Sequence, residues 1–176
     1  MLKTMLTFLL ISLTTQACPF DEADVEVTVL AHTAIYKAAK SGNFEKASKE
    51  IIKNKELYEY FEKEFNDKLY NPLLNASKQE DTSKIKQLLD HSLVLEIKEL
   101  LGQVDKSFDK YQKSRLLLIK AKKHLKALTS DKKPMKVMKK ILKSLGNPGL
   151  MGMGKREANK EMFNKNKSIL LGIIKQ

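Results

Sequence analysis

Apolar residues recur every three or four positions along most of the chain, the spacing that places them on one face of an α-helix. The clearest runs cover residues 56–70 and 81–128. One alternating run, residues 25–29, is typical of a strand, but no second strand is available to pair with it. The pattern therefore predicts an all-α bundle of about six to eight helices, built from helical hairpins.

Glycine, proline and polar caps indicate where the earlier helices end. Gly42 ends a first helix over 21–41, and Asn43 caps a second that runs to about residue 53. Asn71 and Pro72 are predicted to end or kink the helix over 56–70, because proline has no N–H and restricts the residue before it. The run over 81–128 predicts two helices, or one bent near Gly102, since unbroken it would be about 70 Å long.

The C-terminal third follows the same logic. Pro134 suits the first turn of a helix that Gly146 closes. Residues 146–154 hold four of the seven glycines and are the clearest predicted loop. A last helix is predicted from about residue 157, and its apolar end, residues 169–174, is expected to dock on the bundle.

The first 17 residues have the order of a secretory signal peptide. Lys3 precedes a short apolar run, and Thr15 and Ala17 occupy the −3 and −1 positions of a cleavage site. The run is shorter than the roughly 20 apolar residues that span a bilayer. The alternative is a buried first helix. We therefore expect an exported protein, periplasmic or secreted, whose helical domain covers 18–176.

Cleavage after Ala17 would make Cys18 the first mature residue, and Cys18 is the only cysteine in the chain. A single cysteine excludes an internal disulfide framework and leaves two interpretations open. One is lipid attachment at the new N-terminus, which would anchor the protein to a membrane. The other is a thiol that stays free or pairs with another chain.

Charge is concentrated in one segment. The chain has 33 Lys and Arg against 21 Asp and Glu, for a net charge of +12. Residues 113–143 hold 12 of the basic residues and a single acid, Asp131, whereas residues 18–112 carry a slight negative excess. This basic hairpin predicts either a solvated face or a surface for an anionic partner.

Helical spacing separates the charges of the basic hairpin from its apolar residues. The positions predicted to face an anionic partner are Lys120, Lys123, Lys136, Lys139, Lys140 and Lys143. For an exported protein, the candidate partners are an anionic membrane surface, a cell-envelope polyanion or an acidic protein. The signal peptide argues against nucleic acid, and no aromatic residue lies between Gln112 and Lys143 to stack on bases.

Catalytic chemistry has little support in the sequence. His32, His91 and His124 stand in no metal-binding motif, and no nucleophile–base pair is apparent, so a non-enzymatic binding protein is the leading hypothesis. Asp90 with His91, and Glu96 with Glu99, lie on one predicted helix and are expected to be exposed; they could form a site only with partners from another helix. The alternative function is a small-ligand or metal-binding bundle. Its candidates are Met151 and Met153, because thioethers favour Cu(I); gap-filling under a loop would also explain these methionines.

Overall fold

The computed structural model describes residues 22–149 and 154–175, with side chains from Val27 onward. Within those ranges the chain forms eight α-helices and no strand, which confirms the all-α prediction. The helices are α1 (Glu22–Lys40), α2 (Phe44–Lys53), α3 (Lys55–Phe65), α4 (Tyr70–Lys78), α5 (Thr82–Lys106), α6 (Tyr111–Leu128), α7 (Lys132–Ser144) and α8 (Lys160–Ile174). Residues 1–17 and Cys18 lie outside the described part of the chain.

Side-chain caps begin several of these helices. The carboxamide of Asn43 accepts a hydrogen bond from the Lys46 N–H at 3.0 Å, and the Asp81 carboxylate accepts from Lys84 N–H at 2.8 Å. Each bond satisfies one of the N–H groups that a helix start leaves without an intrahelical partner. Both starts agree with the sequence prediction.

The boundary predicted at Pro72 was wrong. Helix α3 already ends at Phe65, where Asn66 adopts a left-handed backbone with φ of 53°. Pro72 instead lies in the first turn of α4, where the missing N–H removes no intrahelical bond. Leu69, which precedes α4, is buried.

The long apolar run forms two helices, but the break is not at Gly102. Helix α5 passes through Gly102 and ends at Lys106. The Ser107 hydroxyl donates to the Gln103 carbonyl at 2.8 Å, and the Ser114 hydroxyl of α6 donates to the Ser107 carbonyl at 2.5 Å. These local bonds compete with the helical ladder and stabilise the corner.

Helix α5 organises the packing, because it contacts α1, α4, α6 and α8. Two apolar clusters meet along it. The first joins α1 to α4 with the start of α5 and has Tyr58 and Phe61 among its largest buried residues. The second joins the end of α5 to α6, α7 and α8, around Phe163 and Leu170. The apolar end of α8 thus docks in part, as expected.

Helices α7 and α8 form a hairpin closed at its loop. Asn147 and Arg156 exchange backbone hydrogen bonds at 2.8 Å, and the Asn159 N–H donates to the Ser144 carbonyl at 2.8 Å. Gly146 has φ of 70°, and a Cβ there would lie 2.4 Å from the Arg156 carbonyl oxygen. Only glycine fits both the left-handed backbone and the close approach.

Candidate functional site

Helix α7 presents one apolar and one basic side. Met138, Ile141 and Leu145 are buried in the second cluster. The lysines on the opposite side are all exposed, and we call them the α7 lysine face: Lys136, Lys139, Lys140 and Lys143. The three/four spacing of both sets accounts for this separation.

The charges of the α7 lysine face find no ion-pair partner in the part of the chain that the structure describes. Among the described residues, no carboxylate forms an ion pair with any of its four lysines. The one acid of the hairpin, Asp131, caps α7 by accepting from the Lys133 N–H at 2.9 Å. Elsewhere exposed lysines do find partners, as Lys49 does with Glu45 at 2.7 Å. The face therefore has positive charge available for an external anion.

Helix α6 carries further exposed cations. Lys113, Arg115 and Lys126 are exposed there, and Lys120 is half-buried. Lys123 is exposed but makes a contact of its own, so it does not count as a free cation. The sequence-predicted cations of α6 and α7 thus lie on two consecutive helices joined by a short turn.

The three histidines do not converge on one site. His32 Nε2 lies 3.0 Å from Asp90 Oδ1, and His91 Nε2 lies 2.7 Å from Asp67 Oδ2. His124 contacts Glu96. Each histidine therefore meets a carboxylate from a different element, and the pairs tie helices and loops to α5.

The contact between His124 and Glu96 is buried, so the expected exposure of Glu96 was wrong. The His124 side chain is 0% exposed and that of Glu96 is 14% exposed. His124 Nε2 and Glu96 Oε2 contact each other, and neither has another polar partner among the described residues. Glu96 Oε1 accepts from the Thr28 hydroxyl of α1 at 2.8 Å. We call Thr28, Glu96 and His124 the polar layer.

The hydrogen bond of His124 with the backbone places a hydrogen on one ring nitrogen. Nδ1 lies 3.0 Å from the Lys120 carbonyl, and a carbonyl oxygen only accepts, so Nδ1 carries a hydrogen. On the other side, Nε2 faces a carboxylate oxygen. Nε2 and Glu96 Oε2 thus approach each other closely without forming a well-oriented hydrogen bond. The Glu96 carboxyl separates Thr28 from the imidazole, so the hydroxyl is not activated as a nucleophile.

Two other carboxylates are ionised more readily than usual. Hydrogen bonds from Lys160 and Lys167 of α8 lower the pKa of Asp105. Burial raises the pKa of Asp90, but the hydrogen bonds with His32 and Lys86 outweigh it, and the net pKa is lowered. Asp90 is also only partly exposed, contrary to the sequence expectation. Each carboxylate joins α5 to another helix, Asp90 to α1 and Asp105 to α8.

Metal binding finds no site in the described ranges, where no group of three or more His, Cys, Asp or Glu could hold an ion. Met151 and Met153 lie outside those ranges, so copper binding there stays a prediction. Of the neighbouring methionines, Met138 is buried and Met135 packs against the second cluster, which is the gap-filling use of this side chain.

None of the helices in the described residues is long and apolar enough to cross a membrane. Comparisons with protein-family models, curated proteins and solved structures found no significant match to this chain.

Proposed function

We propose that this chain is an exported, non-enzymatic binding protein that contacts an anionic surface through its basic hairpin, residues 113–143. The observation that supports this function is the α7 lysine face: Lys136, Lys139, Lys140 and Lys143 are exposed together, without an ion-paired acid among the described residues. Their apolar counterparts are buried on the other side of α7. Neutralising the lysines should therefore leave the fold intact.

The charges of the α7 lysine face determine how strongly the protein should bind an anionic partner. A basic residue near an anionic surface contributes about 1 kcal/mol, so four acting together contribute a few kcal/mol. Salt screens charges over about 10 Å at 0.1 M, so binding should weaken as salt is added. The partner classes are acidic lipid headgroups, a cell-envelope polyanion or an acidic protein.

The test compares two variants with the same net charge. One changes Lys136, Lys139, Lys140 and Lys143 to Gln. The matched control makes the same change at four exposed lysines of α1, α2 and α4, far along the chain from the basic hairpin: Lys37, Lys40, Lys46 and Lys78.

Binding is measured on poly-glutamate and on anionic vesicles over a range of salt. The α7 variant should lose most of its binding, and the control should keep it. Equal losses in the two variants would show that only net charge matters, and binding to neither target by the wild type would reject the function.

Export is tested separately, and it rests on the pattern of residues 1–17. Mass spectrometry of protein from its native host should find a chain that begins at Cys18. A mature chain that keeps residues 1–17 in the cytoplasm would contradict export.

If Cys18 is lipidated, Cys18→Ser should release the protein from the membrane fraction. An unmodified Cys18 in released wild-type protein would leave the free or intermolecularly paired thiol.

A further inference from the structure

Leu116 is an exposed leucine inside the basic hairpin. Its side chain is 52% exposed on α6. Lys113 precedes it by three positions and Lys120 follows it by four, so all three share one face of the helix. Scattered exposed apolar residues are ordinary on protein surfaces. At Ile52, for example, the lysines three positions away on either side are ion-paired with Glu45 and Glu59, whereas Lys113 and Lys120 have no ion-paired acid among the described residues.

The lysines and Leu116 require different chemistry in a partner. The lysines gain from any dense negative charge, whether on a polymer, an acidic protein or lipid headgroups. Leu116 gains only where it leaves water for an apolar layer. An anionic bilayer provides both at adjacent depths, with charged headgroups above acyl chains.

The flanking lysines suit that arrangement. A lysine can lay its aliphatic stem along an apolar layer while its ammonium group reaches toward charge and water. Lys113 and Lys120 could therefore hold headgroups while Leu116, with the shorter side chain, enters between them. An acidic protein would meet the same lysines, but it would cover Leu116 only if an apolar patch lay among its carboxylates.

We propose that the basic hairpin docks on an anionic lipid surface, with Leu116 entering the boundary between headgroups and acyl chains. This inference rests on the proposed function and names its partner. It predicts that affinity for lipid has an apolar component in addition to the salt-sensitive one.

The chain contains no tryptophan, so an introduced one reports only its own position. We would place it by Leu116→Trp and, as a matched control, by Ile52→Trp, since Ile52 is 53% exposed on α2, outside the basic hairpin. Each variant is mixed with equimolar phosphatidylglycerol and phosphatidylcholine vesicles, with or without brominated acyl chains. Vesicles of phosphatidylcholine alone provide the neutral comparison.

The tryptophan at 116 should shift its emission to the blue and be quenched by brominated chains in the anionic vesicles only. Added salt should reverse both effects, and the tryptophan at 52 should show neither. A Leu116→Ser variant should bind the same vesicles about tenfold more weakly. Its binding to poly-glutamate should not change, which excludes a loss of fold as the cause.

The outcomes separate this inference from the function beneath it. Salt-sensitive vesicle binding without quenching at 116 overturns the insertion and leaves the anionic-surface function standing. Binding to poly-glutamate but not to vesicles does the same and favours a polyanion or acidic protein. Equal quenching at 116 and 52 overturns the proposal that the basic hairpin is the part of the protein that faces the lipid. Binding to neither target overturns the proposed function itself.

Discussion

The polar layer is the place where a single substitution should be most costly. His124→Leu replaces a fully buried ring by a side chain of similar volume, so the main loss is the contact with Glu96. The remaining carboxylate would keep the Thr28 hydroxyl as its only described partner. Leaving one buried polar group without its partner costs about 1–3 kcal/mol, and more where that group is charged, so we expect a loss of at least this size.

The partner variant and the double variant make this reasoning quantitative. Glu96→Leu leaves the Thr28 hydroxyl and the His124 ring without their acceptor, at about 1–3 kcal/mol for each buried group. Changing both residues to Leu removes the unpartnered carboxyl, and only the Thr28 hydroxyl remains to be satisfied. The double variant should therefore lose about 1–3 kcal/mol, less than the two single losses together.

The wild type, the two single variants and the double variant form a double-mutant cycle. Urea unfolding followed by far-ultraviolet circular dichroism measures the free energy of unfolding of each. The control is the half-exposed pair of His91 and Asp67, whose side chains are 41% and 32% exposed. His91→Leu should cost no more than about 1 kcal/mol, as an exposed ion pair does. Additive losses at Glu96 and His124, or equal losses for His124→Leu and His91→Leu, would refute the reasoning.

The other predictions concern acid stability and two glycines. Because Asp105 and Asp90 have lowered pKa values in the folded state, their contribution to stability is present above about pH 4 and is lost as pH falls through the folded values. Urea midpoints should drop on acidification, and Asp105→Asn should reduce that drop. Gly146→Ala should destabilise by about 1–3 kcal/mol, since its Cβ meets the Arg156 backbone. Gly102→Ala, within α5 and in open space, should stabilise by about 0.5–1 kcal/mol in the same assay, and the reverse order of the two glycine variants would contradict the geometry.

Features determined by neighbours along the chain could be predicted. The two sides of α7 follow from spacing alone. Met138 and Ile141 are three positions apart and so share one side of the helix, and Lys136 and Lys140 are four apart and share the other. The start of α5 follows from Asp81, whose short side chain reaches the N–H three residues ahead.

Features that depend on tertiary contacts could not be predicted from the sequence. Pro72 is compatible with either end of a helix, and only the left-handed turn at Asn66 decides which one it occupies. The corner at Ser107 needs the Ser114 hydroxyl, which meets it only after α6 has turned back. Asp90 and Glu96 gave no sign of burial, because the partners that cover them come from α1 and α6.

The position of Glu96 on α5 suggests what a buried charge does in this bundle. It lies between Leu95, in the first apolar cluster, and Ile97, in the second. Apolar contacts have no direction, so they specify the register of α1 and α6 along α5 less strictly than polar contacts do. The hydrogen bond from Thr28 is directional, and the same carboxyl must also meet His124, so both contacts form only in one register. The contact of His124 with Glu96 therefore helps to fix the register of α6 against α5, and α6 forms the first helix of the basic hairpin.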